Sequence, residues 1–154
     1  MGFTPLEGLV MGTRCGDIDP ALVPYIMRKR KLDTSEMDAI LNKASGLKGI
    51  SGLSNDMRVL EAAADKGNKR ARLAIDIFTY RIKKYIGAYM AAMNGCDAII
   101  FTAGIGENQK SVRDKICSNL FSYARKPKCL VIPTNEELMI ARQTFRLMDG
   151  ENNA

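Results

Sequence analysis

The sequence predicts a helix-rich α/β fold, and three patterns favour that class. An apolar run at 98–101, within a predicted strand over about 97–102, leads directly into a glycine-rich turn. Because the run is apolar on both faces, it is typical of a parallel strand that helices cover on both sides. A second apolar segment at about 129–132 predicts another strand, and an amphipathic pattern over 68–93 predicts a long helix. Two strands are too few to bury both faces of the first one, so the predicted sheet is incomplete.

Capping residues and glycines divide the chain before the first strand into helices and a turn. An Asp-Pro pair at 19–20 and a polar cluster at 33–35 are typical of helix starts, and glycines at 46, 67 and 95 are typical of helix ends. The predicted helices cover 20–30, 33–44, 54–67 and 68–93, with a glycine-punctuated turn over 47–53. Further helices are predicted over 110–120 and 134–148, on either side of the second strand.

The composition is that of one domain of common size. The 154 residues carry 23 Lys and Arg against 17 Asp and Glu, a net charge of +6. The basic residues are scattered and no aromatic residues alternate with them, so they predict a solvated surface, and no nucleic acid is expected as a partner. The sequence shows neither an apolar run of membrane-spanning length nor a signal-peptide pattern, so we expect a cytoplasmic location and no membrane partner.

The four cysteines, at 15, 96, 117 and 129, do not predict a metal centre. No two of them have Cys-x-x-Cys spacing, and the sequence contains no histidine. Their number alone leaves disulfides open. Cys96, Cys117 and Cys129 lie in or beside apolar segments, which favours free buried thiols in a reducing compartment.

The junction between the first strand and the next helix is a candidate anion site. Glycines 104 and 106 follow the strand directly and would let backbone N–H groups approach a ligand closely, a nucleotide phosphate being the obvious one. The pattern alone is weak. No Gly-Lys-Ser/Thr follows, and Gln109 stands where a third glycine would complete a dinucleotide fingerprint.

Four longer strings make the interpretation more specific. The string Phe-Thr-Ala-Gly-Ile-Gly-Glu-Asn, followed by Val-Arg, resembles the adenosine-binding signature of acetate kinases, and three other strings resemble the same family in the same order. The four strings cover 4–20, 51–58, 101–113 and 131–137. Together the resemblance extends from Thr4 to about Arg146, nearly the whole chain.

The resemblance implies an incomplete actin-like ATPase lobe with a ribonuclease H-like fold. Residues 1–154 would form a single partial domain similar to the C-terminal nucleotide-binding lobe of acetate kinase, without the N-terminal lobe and the first strands of the second lobe. A stretch also looks deleted near 121–128, where Tyr123 to Pro127 resembles a shortened junction between two family segments.

The resemblance also assigns roles to individual residues. Arg14 would be the catalytic arginine that stabilises the transferred phosphoryl group, and Glu136 would be the carboxylate associated with Mg²⁺, with Glu137 as the neighbouring alternative. The nucleotide would be bound by Asp56, Met57, Arg58, Gly104, Ile105, Gly106, Glu107 and Asn108. Without the resemblance, Arg14 would be an ordinary loop residue, and Asp56 and Glu136 would be acids at helix starts.

The expected parent reaction transfers phosphate from ATP to acetate with Mg²⁺, giving ADP and acetyl phosphate. Propionate kinases share the four strings, so the sequence leaves the length of the acid open. We expect the isolated chain to be inactive, since of the family's catalytic groups it retains only Arg14. The alternative is a non-catalytic module that binds nucleotide or self-associates, and a homodimer is expected because the family pairs through this lobe.

Overall fold

The computed structural model describes residues 2–120 and 126–148. In that part of the chain helices predominate, and two short parallel strands accompany them, which confirms the predicted helix-rich α/β class. The helices are α1 (Leu22–Arg30), α2 (Thr34–Lys43), α3 (Gly46–Ser51), α4 (Met57–Asp65), α5 (Lys69–Ala92), α6 (Ala103–Asn108), α7 (Lys110–Cys117) and α8 (Glu136–Met148). The strands are β1 (Ala98–Phe101) and β2 (Lys128–Val131).

The hydrophobic core lies where α3, α4 and α7 pack against the N-terminal half of α5. Its ten buried residues are Leu47, Met57, Leu60, Ala64, Ala71, Ala74, Ile75, Phe78, Val112 and Ile116. On α5 the buried positions recur every three or four residues, as the amphipathic pattern predicts, and they stop at Thr79. In the C-terminal half of this 24-residue helix, Ile82 and Ile86 still pack against the core but are only partly buried.

A loop near the N-terminus is fixed to α3 by backbone hydrogen bonds. The N–H groups of Ser45, Leu47 and Lys48 donate to the carbonyls of Thr13, Met11 and Gly12 at 2.9 Å each. Gly46 has a φ of +62° and approaches the main chain of this loop so closely that a Cβ there would lie 2.8 Å from the Arg14 oxygen. These hydrogen bonds and the close approach at Gly46 hold the loop that carries Arg14 against the start of α3.

The two strands pair in parallel, with Ala98 opposite Lys128 and Phe101 opposite Val131. The expectation that helices would cover β1 on both faces is wrong. Ile100 is 56% exposed, and all four residues of β2 are exposed. The physical reason is that a sheet of only two strands offers too little surface for helices to pack against.

Two stretches predicted as glycine turns are helical. Residues 47–51 of the predicted turn over 47–53 belong to α3, and the glycine-rich turn after β1 forms α6. Other boundaries differ by one to three residues. The third predicted helix begins at Met57, the last begins at Glu136, and the helix predicted to reach 120 ends at Cys117. Residues 121–125 of the proposed shortened junction lie outside the described residues.

The C-terminal helix α8 presents many apolar side chains to solvent. Each of its residues is exposed, including Ile140 at 63% and Phe145 at 66%. Within the described residues, no helix has the length and apolar character needed to cross a membrane.

Candidate functional site

A cavity of about 550 Å³ lies between the start of α4 and helix α6. This volume falls within the ~300–1,000 Å³ typical of small-molecule sites. Its lining consists of Asn55, Asp56, Met57, Arg58, Gly104, Ile105, Asn108 and Gln109. Two of the segments predicted to bind nucleotide, some 50 residues apart in the chain, therefore face one another across one cleft.

Asp56 and Arg58 form the α4 wall of the cavity. Asp56 is the N-cap of α4, and its Oδ1 accepts the backbone N–H of Arg58 at 2.9 Å. The Arg58 guanidinium also donates a hydrogen bond to each carboxylate oxygen, from Nε to Oδ1 at 3.1 Å and from Nη2 to Oδ2 at 2.6 Å. These bonds lower the pKa of Asp56 to about 2, with the Arg58 side chain as the largest cause. The Arg58 side chain is exposed and that of Asp56 is half-buried, and each partner retains hydrogen-bonding capacity for a ligand.

Helix α6 forms the opposite wall. It begins at Ala103, which has a φ of +59° although it is not glycine. Gly104 follows, and apart from its chain neighbours and the backbone of α6 itself, no atom lies within 4 Å of where its Cβ would be. The backbone at Gly104 is therefore open to the cavity, as the predicted phosphate-binding turn required, although here it belongs to a short helix.

Four hydrogen bonds that involve side chains hold α6 in place. Thr134, just beyond β2, accepts the N–H of Ala103 through Oγ1 at 2.9 Å and donates its own backbone N–H to Glu107 Oε1 at 2.8 Å. This bond to Thr134 is the largest cause lowering the pKa of Glu107. At the other end of α6, Arg113 Nη1 donates to the carbonyls of Gly106 and Glu107, each at 2.9 Å. The helix is thus tied both to the strand pair and to α7.

Two of the residues predicted to bind nucleotide do not line the cavity. A Cβ on Gly106 would lie 3.3 Å from the Phe101 carbonyl carbon, so this glycine allows α6 to pack closely on β1. The Glu107 carboxylate is turned towards Thr134 instead. A third predicted residue, Met57, does line the cavity but is also buried in the core.

Sequence reasoning missed four residues that form or support the cavity. Asn55 and Gln109 belong to its lining and directly flank predicted segments. Arg113 and Thr134 lie within the strings that resemble the family, yet only the folded chain shows that both hold α6. Their adjacency to the predicted segments was the available signal.

Arg14 lies in the neighbouring loop and is not part of the cavity lining. Its Nη1 approaches Met11 Sδ at 4.0 Å, a weak contact. The loop does reach the cavity edge at Gly12, where a Cβ would lie 3.3 Å from the Cβ of Asn55. The segment that carries the predicted catalytic arginine therefore adjoins the predicted nucleotide segment.

Glu136 is the first residue of α8 and is exposed. Its side chain makes no hydrogen bond or ion pair with another described residue, and the described part of the chain contains no cluster of three or more His, Cys, Asp or Glu side chains suited to a metal ion. A free carboxylate still fits Mg²⁺, which takes one or two protein oxygens and completes its shell with water and phosphate. Neighbouring Glu137 has the same exposure.

The architecture is that of the actin-like ATPase fold. The solved structure of acetate kinase from Porphyromonas gingivalis superposes with a TM-score of 0.91 and 40% identity, covering 96% of this chain. A propionate kinase structure from Francisella tularensis gives a TM-score of 0.86 and 43% identity over 93% of the chain.

The sequence comparisons then define the family. The model of the acetokinase family matches residues 1–126. The acetate kinase of Heliobacterium modesticaldum is 54% identical over 97% of the chain, and that of Methanosarcina thermophila is 51% identical over 98%. The chain belongs to the acetokinase family, as its four strings indicate.

The chain spans less than half the length of these relatives. It covers 43% of the Heliobacterium protein, 42% of the Methanosarcina protein and 43% of the Porphyromonas structure. The matched stretch of the Heliobacterium protein is 171 residues long, longer than the 154 residues of the whole chain. That relative therefore contains residues within the matched stretch that have no counterpart here.

Proposed function

We propose that the chain is the nucleotide-binding part of an acetate kinase-type phosphotransferase and that ATP binds in the cavity between α4 and α6. The observation that carries this proposal is the convergence of Asp56, Arg58 and the open backbone at Gly104 on one cleft. The full reaction of the type would convert ATP and acetate to ADP and acetyl phosphate. A propionate-type acceptor is compatible with the same residues, since the propionate kinase structure shares this fold.

The exposed polar groups suggest how ATP would lie. Asp56 offers carboxylate oxygens for ribose hydroxyls, and the amide groups of Asn55, Asn108 and Gln109 can recognise a base edge or a hydroxyl. Arg14 would approach the terminal phosphate from the adjoining loop, where a guanidinium can bind two phosphate oxygens at once. Glu136 would contribute an oxygen to Mg²⁺, which supplies charge neutralisation for the phosphates.

The test is a thermal melt with and without Mg·ATP, made on the wild type and two glycine variants. Gly104 and Gly87 are both helical glycines at which an added Cβ meets no atom within 4 Å, but only Gly104 lines the cavity. Ligand at about 100 times its Kd adds ~2.7 kcal/mol of stability. We expect Mg·ATP to raise the Tm of the wild type and of Gly87→Ala equally, whereas Gly104→Ala melts normally but loses the shift.

Two results would count against this site. An equal shift in Gly104→Ala would place the nucleotide elsewhere, and the absence of any shift in the wild type would refute nucleotide binding by this chain.

Kinase activity is tested separately from nucleotide binding. Because Arg14 is the only catalytic candidate here, we expect no acetyl phosphate from ATP, Mg²⁺ and acetate, and a hydroxamate assay that detected it would contradict this.

A second candidate function is that of a self-associating module. It is favoured by the exposed apolar side chains of β2 and α8, since exposed apolar surface of this kind commonly marks an interaction site. A homodimer would be the simplest product. The two candidates are compatible, because the apolar side chains of α8 and the cavity residues are different residues.

A further inference from the structure

Two thiols that the proposed function does not use lie side by side. The Sγ atoms of Cys117 and Cys129 are 2.9 Å apart, although the residues are 12 positions apart in the chain. Cys117 is the last residue of α7, and Cys129 is in β2. Both are free thiols, and Cys129 is exposed, against the sequence-based expectation that it is buried.

We propose that Cys117 and Cys129 form a reversible disulfide that fastens strand β2 to helix α7. A disulfide has an S–S length of about 2.05 Å, so the two sulfurs need to approach by less than ~1 Å. The proposal does not depend on nucleotide binding.

The two elements differ in how well they are anchored, which gives the bond a structural effect. Helix α7 is fixed in the core through Val112 and Ile116, which are 1% and 2% exposed. Its end is also held by Lys83, whose Nζ donates to the Ser118 carbonyl at 2.7 Å. Strand β2, by contrast, contributes no buried residue to the core, and its strand partner is β1. A covalent bond from Cys129 to Cys117 would therefore attach a weakly held strand to a well-anchored helix.

The bond would form by two exchange reactions with a low-molecular-weight disulfide such as oxidised glutathione. The more exposed of the two cysteines, Cys129, would react first. The exposed Cys129 thiolate attacks one glutathione sulfur, forms a mixed disulfide and releases one glutathione thiolate. Cys117 then loses its proton and attacks the Cys129 sulfur, which expels the second glutathione thiolate. Two protein thiols are oxidised and one glutathione disulfide is reduced to two thiols.

The environment of Cys117 agrees with its acting second. Burial, followed by the hydrogen bond with Cys129, raises the pKa of Cys117 to about 12. A thiol that rarely ionises is a poor first nucleophile, but it can react when the target sulfur is held against it.

The other cysteines offer no competing pair. Cys96 Sγ lies 2.9 Å from Met90 Sδ, a thioether that cannot form a disulfide. Cys15 lies in the N-terminal loop, and burial raises the pKa of its thiol. The folded chain should therefore form the 117–129 bond in preference to the five other pairings of four cysteines.

The experiment is to incubate the purified chain with oxidised glutathione, in buffer and in 6 M urea, and to map disulfides by mass spectrometry. We expect the intramolecular 117–129 bond to dominate in buffer, and the pairings to be mixed in urea. Stable glutathione adducts, intermolecular disulfides only, or the same mixture under both conditions would overturn the proposal.

The structural effect is measured by thermal melts of the oxidised and the reduced chain. Oxidation should raise the Tm by several degrees, and dithiothreitol should reverse the gain. Cys129→Ser is the control, because its side chain is exposed and the serine variant is expected to fold as the reduced wild type does. The same gain in Cys129→Ser, or bond formation in the wild type without a gain in Tm, would also overturn the proposal.

Discussion

The ionisation of Asp56 is controlled by the side chain of Arg58. Arg58 holds the pKa of its carboxyl at about 2, below its ordinary value of 3.8. A depressed pKa contributes stability that is fully present above the unfolded pKa and is lost as pH falls through the folded one. The contribution of Asp56 should therefore disappear between about pH 4 and pH 2.

Asp56→Asn tests this contribution. Asn also caps helices well, so the change removes the charge and largely keeps the cap. We expect the variant to be less stable than the wild type at pH 6 and the two to converge at pH 2. Urea unfolding at several pH values measures the difference. A gap that stays constant across this range would show that Arg58 does not set the titration.

Ala103 is strained by its position at the junction of β1 and α6. Its φ of +59° is in the left-handed region, which costs a residue with a Cβ about 1–2 kcal/mol. We expect Ala103→Gly to be neutral or to stabilise the chain by up to ~1 kcal/mol, and Ala103→Val to destabilise it. Denaturant unfolding decides between these outcomes. Destabilisation by glycine would show that the alanine methyl makes contacts worth more than the strain.

At the scale of elements, the junction between the N-terminal loop and α3 depends on one glycine. Gly46 and Gly67 both have positive φ, but only Gly46 is pressed against other backbone atoms. Gly67→Ala should cost about 1 kcal/mol from backbone strain alone. Gly46→Ala must also displace the Met11 and Arg14 main chain, so we expect ~3 kcal/mol. Unfolding of the two variants compares the costs, and equal values would refute the steric argument.

The helices that the sequence predicted correctly are those with local capping residues or an amphipathic pattern. The polar residues at 33–35 suggested a helix cap, and Asp33 forms one as part of a capping box with Glu36, with bonds of 2.8 and 2.9 Å. The long helix α5 followed its amphipathic pattern to within a residue or two. These elements are set by contacts within a few positions of the chain, which is why periodicity and capping residues reveal them.

The two six-residue helices were missed because distant contacts stabilise them. Glycine makes up two residues of each, and its low helix propensity predicts a turn. The loop at 11–13 binds the start of α3, and Arg113 together with Thr134 holds α6.

The cavity was predictable only in part, because distant contacts also shape it. The four strings located both of its walls, but the bond from Glu107 to Thr134 spans 27 positions and has no local signal.

At the scale of the whole molecule, the apolar surface is distributed unevenly. The core lies around α5, whereas many large apolar residues near the C-terminal end of the described chain are exposed. They are Leu130 and Val131 of β2, Ile132 directly after it, and Leu138, Met139, Ile140, Phe145, Leu147 and Met148 of α8. An exposed strand edge and an exposed apolar helix face each favour association with another chain. The long helix α5 offers a second possible interface, since it also exposes Leu73 and Tyr80.

We predict that the chain self-associates through α8 rather than through α5, because exposed apolar side chains are denser on α8. One double variant carries Ile140→Glu and Phe145→Glu, which place two negative charges on α8. The matched control carries Leu73→Glu and Tyr80→Glu, which place two negative charges on α5 at residues of comparable exposure. Burying a charge in an apolar interface is costly, so the α8 variant should raise the dissociation constant at least tenfold, or ~1.4 kcal/mol. The α5 variant should leave it unchanged. Sedimentation velocity over a range of concentrations measures both. A wild type that stays monomeric, or equal weakening by the two variants, would contradict the assignment of the interface to α8.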